Sequence, residues 1–134
     1  MTPGQFAPLA AIVALSVAGC ATETTTADAA PGDVRQCFYT RDVSNYEAVS
    51  DSVVNLRVGV NDIYRAELFV PCQEVRFTEG LAIRHIGGGT SAVCSGLDAE
   101  LIVPTSTGPR TCALNSIRKL SAAEVAALPR RERP

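Results

Sequence analysis

The chain has 134 residues, which leaves room for one small domain once a leader is set aside. Its 12 Lys and Arg against 14 Asp and Glu give a formal net charge of −2 at pH 7. Proteins that bind nucleic acids usually carry a strong basic excess, so this balance argues against a nucleic-acid partner.

The first predicted element is an apolar leader over residues 1–19. The run from Ala7 to Ala18 is too short to cross a bilayer as a helix, and such a run before small residues is typical of a signal peptide. It leads into Val17-Ala18-Gly19-Cys20, which resembles the bacterial lipobox, whose cysteine is acylated and becomes the first residue of the mature protein. We therefore predict a palmitate-type lipid on Cys20. The alternative is an ordinary cleavable leader with a chance cysteine.

A polar tether is predicted over residues 20–34, because Ala21 to Asp33 includes no large apolar residue that could offset the entropy of ordering. Several acyl chains on one cysteine anchor a protein stably, since each buried methylene contributes about 0.8 kcal/mol. In Gram-negative sorting, Asp after the lipidated cysteine commonly retains a lipoprotein in the inner membrane. Ala21 stands there instead, so we predict an outer-membrane lipoprotein facing the periplasm.

Four cysteines remain after Cys20: Cys37, Cys72, Cys94 and Cys112. An even number in a short exported domain is typical of disulfides, and the absence of a C-x-x-C pair argues against structural zinc. Three pairings are possible. We expect the nested pattern, Cys37–Cys112 and Cys72–Cys94, because it would join the two ends of the domain and close a loop of about 75 residues.

The folded domain is predicted over residues 35–129. A short strand at Gln36 to Tyr39 precedes a polar connection that ends at Asp51. The clearest pattern follows, an apolar alternation typical of half-buried strands, at Val54, Leu56, Val58 and Val60 and then at Tyr64, Ala66 and Leu68. We predict a hairpin with a three-residue loop, Asn61 to Ile63, which keeps the apolar residues on one face and sets Arg57 against Glu67.

Further strands are predicted at Leu81 to Ile86, Ser91 to Ser95, Leu97 to Val103 and Arg110 to Leu120. Ser121 to Glu124 fits a capping box at the start of a short helix, and residues 130–134 are expected to be a frayed polar tail. Short strands separated by frequent turns predict a mainly β domain, either a small disulfide-stapled barrel or a curled antiparallel sheet with one short C-terminal helix.

These features together resemble the small proteobacterial lipoproteins grouped as the domain-of-unknown-function family 6491. The resemblance covers about residues 35–120. It is carried by the lipobox, Cys37-Phe38, the hairpin with Tyr64 to Leu68, Pro71-Cys72, Val93 to Gly96 and the strand around Cys112. It implies an exported or lipidated domain. It assigns no activity, and no catalytic residue follows from it.

The candidates for chemistry are few. His85 is the only histidine, and beside Ile83 and Ile86 it is interpreted as a strand residue without a chemical role. Asp98 and Glu100 are two residues apart on a predicted strand, which would set their carboxylates about 6.5–7 Å apart on one face. That spacing suits acid/base work on a glycoside or a weak Ca²⁺ site, but a solvated strand face is the favoured interpretation. We predict no catalytic residue, no metal and no cofactor.

The leading functional prediction is a non-enzymatic binding or envelope-structural accessory module with an envelope protein or a glycan as partner. Its working surface is expected to be the edge and polar face of the Val54 to Leu68 hairpin. The candidate binding residues are Arg57, Arg65, Glu67, Asp98 and Glu100. The alternative is a small hydrolase or lysozyme-inhibitor-like module that uses Asp98, Glu100 and His85.

Overall fold

A computed structural model describes residues 36–87, 89 and 91–134. Within this range the strands are β1 (Phe38–Tyr39), β2 (Val43–Ser50), β3 (Val53–Val58), β4 (Asp62–Leu68), β5 (Ala82–His85), β6 (Ala92–Val93), β7 (Ala99–Val103) and β8 (Arg110–Lys119). One short helix, α1 (Ala122–Ala127), follows β8. Short 3-10 helices lie at Thr40–Asp42, Gln73–Arg76, Gly96–Asp98 and Arg130–Glu132. The predicted mainly β class is confirmed.

Six strands form one antiparallel sheet in the order β2-β3-β4-β8-β7-β5, while β1 and β6 form a separate two-stranded ribbon. The sheet curls into a half-barrel. Since β2 and β5 each have a single neighbouring strand, they are its two free edges. No helix in the described part of the chain is both long and apolar enough to span a bilayer.

The predicted hairpin is present as β3 and β4, but its register differs from the prediction. The observed pairs include Val54–Ala66, Leu56–Tyr64 and Val58–Asp62. The predicted pairs were wrong: Val60–Tyr64, Val58–Ala66, Leu56–Leu68 and Arg57–Glu67. The three-residue loop falls two positions earlier, at residues 59–61, because Gly59 takes a φ of 61° that favours glycine. The two registers differ by an even number of residues, so the buried face is the same.

The segment expected to be a polar connection contains a strand, β2. Val43, Tyr46 and Ala48 are partly buried and pack against the core. Tyr46 and Ala48 alternate with Asn45 and Glu47, and a register shift between Val43 and Asn45 separates Val43 from this alternation. This short apolar alternation is masked in the sequence by the polar residues around it. The prediction of a connection was wrong because it weighed composition above period.

The core lies on the inner, concave side of the half-barrel. Its largest fully buried side chains include Leu56, Leu101 and Leu114, each from a different interior strand. Complete burial of one such side chain contributes about 1.5–3 kcal/mol. Val75 of the 3-10 helix Gln73–Arg76 and Phe38 of the ribbon complete this core, and the Phe38 and Tyr64 ring centroids are 4.7 Å apart.

The disulfides are Cys37–Cys94 and Cys72–Cys112, so the predicted nested pairing, Cys37–Cys112 with Cys72–Cys94, was wrong. The ribbon explains the first bond: Phe38 pairs with Val93, which brings the preceding and following cysteines together, with Cα atoms 4.2 Å apart. The second bond follows from the pairing of β4 with β8, since Cys72 comes shortly after β4 and Cys112 lies on β8.

The outer side of the sheet carries a smaller apolar cluster beneath α1. Ile63, Leu120 and Leu128 are buried there. The predicted capping box is confirmed: the Glu124 amide donates to Ser121 Oγ at 3.3 Å and the Ser121 amide donates to the Glu124 carboxylate at 2.8 Å. The helix is therefore fixed at its start by its own side chains and held to the sheet by apolar contact.

Residues 130–134 were expected to be frayed, and that expectation was wrong. Arg133 donates to the carbonyl oxygens of Leu128 and Ala126 at 2.9 and 2.8 Å, which satisfies groups at the end of α1. Pro134 is buried. The tail forms the separate 3-10 helix Arg130–Glu132 and contacts Asn55 and Arg57 of β3.

Candidate functional site

The polar face of the β3–β4 hairpin does not form a free binding surface. Arg57 Nε donates to the main-chain oxygen of Pro134 at 2.7 Å. Asn55, which is fully buried, donates to the Glu132 carbonyl at 2.7 Å and accepts from Arg65 Nε at 3.1 Å. The two arginines predicted to bind a partner therefore contact the chain's own tail and its buried amide.

The hairpin also has no free edge, which corrects the predicted working surface. β3 lies between β2 and β4, and β4 lies between β3 and β8. Glu67, the third predicted binding residue of this hairpin, accepts a hydrogen bond from Ser116 Oγ of β8 at 3.0 Å. A partner strand could not pair with β3 or β4 without displacing a strand of the sheet.

Asp98 is not on a strand but at the end of the 3-10 helix Gly96–Asp98, so the predicted two-residue spacing along a strand was wrong. Its carboxylate accepts from the amides of Cys94 and Ser95 at 2.9 and 2.7 Å. These two amide hydrogen bonds hold the pKa of Asp98 below its ordinary value. A general acid needs a raised pKa, so Asp98 is a structural cap of the turn.

Glu100 lies on β7 and forms an ion pair with Arg84 of the neighbouring strand β5. His85, the next residue on β5, is opposite Ala99. Neither Glu100 nor Asp98 is hydrogen-bonded to the other in the described residues. The structure brings the three candidates to one region of the sheet but assigns both carboxylates to partners within the fold.

The lipidation site and the tether have no structural description here. Cys20 and residues 1–35 lie outside the described residues, so the leader, the lipid and the tether remain predictions from the sequence.

A cleft occupies the gap between the two free edges of the half-barrel. We call it the edge cleft; it has a volume of about 480 Å³ and is lined by residues from 40–46 and 79–83. A neighbouring cleft of about 400 Å³ continues along β2 and is lined by residues from 45–48 and 75–79. The two clefts share Asn45, Tyr46 and Glu79, so together they follow β2 from residue 43 to residue 48.

Tyr46 separates the two clefts and joins the two sides of the gap. Its hydroxyl donates to the Thr78 carbonyl at 2.7 Å, and its amide donates to Asn45 Oδ1 at 2.9 Å. Burial raises the pKa of the Tyr46 phenol, and the nearby carboxylates of Glu47 and Glu79 raise it further. The neutral Tyr46 side chain is thus a strap across the gap between the two sheet edges. The Tyr46 amide, at the edge of β2, is capped by the Asn45 side chain.

Two carboxylates along the gap have no ion pair or hydrogen bond in the described residues, whereas the other described carboxylates do. Three of the 14 Asp and Glu (Glu23, Asp28 and Asp33) are outside the described residues, leaving eleven. Nine of these have an ion pair or a hydrogen bond: Asp42, Asp51, Asp62, Glu67, Glu74, Asp98, Glu100, Glu124 and Glu132. Glu47 and Glu79 have neither within the described range, and both line the neighbouring cleft.

Among the described residues, no three His, Cys, Asp or Glu side chains gather as metal ligands, and all four described cysteines are in disulfides. The edge cleft offers unpaired strand edges and the partly buried apolar side chains of Val43, Leu81 and Ile83. Glu79 lines it at the end where the neighbouring cleft begins, and Glu47 lines that neighbouring cleft.

Sequence reasoning missed the residues of this site. The signal that could have found β2 was the alternation of Tyr46 and Ala48 with Asn45 and Glu47. No local pattern could have placed β2 beside residues 79–83. β2 and β5 are the first and last strands of the sheet, and the curl of the whole sheet brings them together.

A model of a family described only as "Family of unknown function (DUF6491)" matches residues 5–134. No curated protein and no solved structure matches the chain.

Proposed function

The chain belongs to DUF6491, a family of unknown function, and on that premise we propose that it is a lipid-anchored module that binds another component of the envelope and catalyses no reaction. Anchored through Cys20, it would sit on the outer membrane and face the periplasm of a Gram-negative bacterium. Its partner would be an envelope protein or a glycan, docked at the edge cleft rather than on the hairpin face.

The observation that carries this proposal is the open gap between β2 and β5. A curled sheet that stops short of closure exposes unpaired main-chain groups on both edges, and proteins with such edges usually blunt or cover them. Here the concave space between the edges has apolar side chains on the side that packs against the core, and the neighbouring cleft adds two carboxylates without partners in the described residues. A partner can use both features at once.

The anchor is supported by the sequence alone. An apolar run, small residues and Cys20 stand in lipobox order, and a polar stretch free of large apolar residues follows. The two disulfides agree with an oxidising compartment. The hydrolase alternative has less support, since the carboxylates of Asp98 and Glu100 have partners within the fold.

The anchor is tested by the intact mass of the protein extracted in detergent. We expect acyl mass on Cys20 and no free thiol, and we expect Cys20→Ser to release an unacylated protein. A soluble, unacylated wild-type protein in which the other four cysteines react as free thiols would overturn the proposed lipid anchor and the proposed localisation.

The docking place is tested by photocrosslinking in living cells. A benzophenone amino acid replaces Ala82, an exposed residue that lines the edge cleft. The matched control carries it at Arg131, whose side chain is 84% exposed and lies on the outer side. We expect a discrete crosslinked product from position 82 whose partner, identified by mass spectrometry, is an envelope component. Equal products from both positions, or none from position 82, would contradict the proposal.

A further inference from the structure

We propose that the edge cleft takes an extended peptide segment of another protein, which adds to the free edge of β2 as a short strand and places a Lys or Arg side chain between Glu47 and Glu79. This inference rests on the proposed function, because it names the partner chemistry for the same cleft. It selects a protein over a glycan as the partner.

The strand edges supply the first step. β2 and β5 face each other across the cleft, and each has a sheet neighbour on one side alone. An extended peptide laid along such an edge gains main-chain hydrogen bonds with no requirement on its sequence. The Tyr46 amide donates a hydrogen bond to the Asn45 side chain. The Asn45 side chain is exposed, so its rotation would free this amide to pair with a peptide.

The size of the cleft limits the length of the segment. Residues 43–46 of β2 form one wall, and residues 80–83, which lead into and include part of β5, form the other. Four residues of strand extend about 13 Å at 3.3 Å per residue. The strap from Tyr46 to Thr78 crosses the gap at the end of this stretch. A segment of about four residues therefore fits before the strap, and longer pairing would require the strap to open.

The side chains around the cleft determine what the peptide carries. Val43, Leu81 and Ile83 are partly buried and pack on the core, so the inner wall is apolar. Successive side chains of a strand point to opposite faces. A small apolar residue facing inward would thus alternate with an outward-facing residue, and the outward position nearest the strap is next to the carboxylates.

The charges favour a basic residue at that position. Glu79 lines both clefts and Glu47 lines the second, and these two are the described carboxylates without an ion pair or hydrogen bond. The arginines of this region are engaged: Arg41 at the far end with Asp42 at 3.7 Å, and Arg76 with Asp51 at 3.4 Å. Arg76 lines the neighbouring cleft together with Glu47 and Glu79 but is paired with Asp51. An incoming cation therefore meets two carboxylates that no cation of the described residues pairs with.

The test starts from a random twelve-residue peptide library displayed on phage and selected on the detergent-solubilised full-length protein. Selected peptides are synthesised and their affinities measured by fluorescence polarisation. We expect them to alternate small apolar residues with a Lys or Arg. N-methylation of alternate peptide amides should weaken binding at least tenfold, because it removes main-chain donors while leaving the side chains in place.

Two protein variants locate the site. Ala82→Trp fills the edge cleft from an exposed position and should abolish binding, whereas Ala123→Trp, an exposed alanine of α1, should leave it unchanged. Glu47→Gln combined with Glu79→Gln should weaken the basic peptides about threefold at low salt, with the difference shrinking as salt rises. Glu67→Gln, on the hairpin, is the matched control and should have no effect.

Each other outcome overturns the inference. Binding that survives N-methylation, or that survives Ala82→Trp, excludes strand addition at this edge. Failure to select any peptide excludes an extended partner, and a dimer that Ala82→Trp dissociates makes a second copy of this chain the occupant. If crosslinking at position 82 still captures an envelope component in those cases, the proposed function stands and the peptide inference alone falls.

Discussion

The outer face of the β3–β4 hairpin and the edge of β2 are adjacent polar surfaces of one sheet, yet they differ in how their polar side chains are used. On the hairpin, Asn55, Arg57 and Arg65 all bind groups of the same chain. Along β2, Glu47 has no such partner in the described residues. Polar residues on a strand therefore indicate a binding surface only after their internal partners have been accounted for.

The largest effect on stability is expected from loss of a disulfide, and the disulfide next to the hairpin is the first to test. Cys72–Cys112 joins the chain after β4 to β8 and closes a separation of 40 residues. The double variant Cys72→Ala/Cys112→Ala should lower the free energy of unfolding by about 4 kcal/mol in the chain-entropy model. Urea denaturation followed by circular dichroism measures the loss.

The second disulfide is the comparison for that experiment. Cys37–Cys94 closes a separation of 57 residues, so entropy alone predicts a nearly equal loss of about 4 kcal/mol for Cys37→Ala/Cys94→Ala. A clearly greater loss for the first variant would report core packing, since Cys72 and Cys112 are both buried. Losses below about 1 kcal/mol for both would contradict the pairing described here.

A direct comparison of the two surfaces uses one asparagine from each. Asn55→Ala removes a buried amide that joins Arg65 to the tail, and we expect it to lower the free energy of unfolding by about 2 kcal/mol. Asn45→Ala, at an exposed position of β2, should stay within about 0.5 kcal/mol of the wild type. Equal effects in urea denaturation would show that the two surfaces are used alike.

The parts of the fold that the sequence predicts correctly depend on short-range patterns. The alternation at Leu56 and Val58 predicts a strand because period two spans a few residues, and Ser121 with Glu124 predicts a helix start because both groups lie within one turn. The curled sheet follows from several such strands in succession. These inferences need no knowledge of distant contacts.

The parts that the sequence does not predict depend on contacts between distant segments. The disulfide pairing follows from the β1–β6 ribbon, whose two strands are too short to show a period. The engagement of Arg57 by Pro134 joins residues 77 positions apart. The edge cleft joins β2 to residues 79–83 and includes no motif, so a candidate site of this kind becomes visible only when the sheet topology is known.

The strap across the gap provides a smaller effect on the open side. Tyr46→Phe removes the hydrogen bond to the Thr78 carbonyl while keeping the ring, and the expected loss is about 1 kcal/mol. Tyr39→Phe is the control, because the Tyr39 hydroxyl has no hydrogen bond in the described residues. This substitution should change the free energy of unfolding by less than about 0.5 kcal/mol. An unchanged stability in Tyr46→Phe would mean that the strap does not hold the gap.

The smallest effect concerns acid and the cover of the hairpin face. The Arg118 side chain, together with the Ser121 amide and hydroxyl, lowers the pKa of Glu124 from 4.5 to about 2. A carboxyl whose pKa is lower in the folded state stabilises the fold above its unfolded pKa, and this contribution is lost as pH falls towards the folded value. The melting temperature of the wild type should therefore exceed that of Glu124→Gln above about pH 5, and the difference should shrink between pH 4.5 and 2.

Arg118→Gln distinguishes the ion pair from the capping box. The Arg118 guanidinium is the largest of several causes of the lowered pKa of Glu124. This variant should therefore reduce the dependence of stability on pH that Glu124→Gln abolishes, and the part that remains reports the capping box. Hydrogen exchange locates the change: acid should raise exchange in α1 and the tail, which cover the hairpin, before it raises exchange in β2. Exchange that rises first along β2 would show that the open edge is the less stable region in acid and would reverse the comparison.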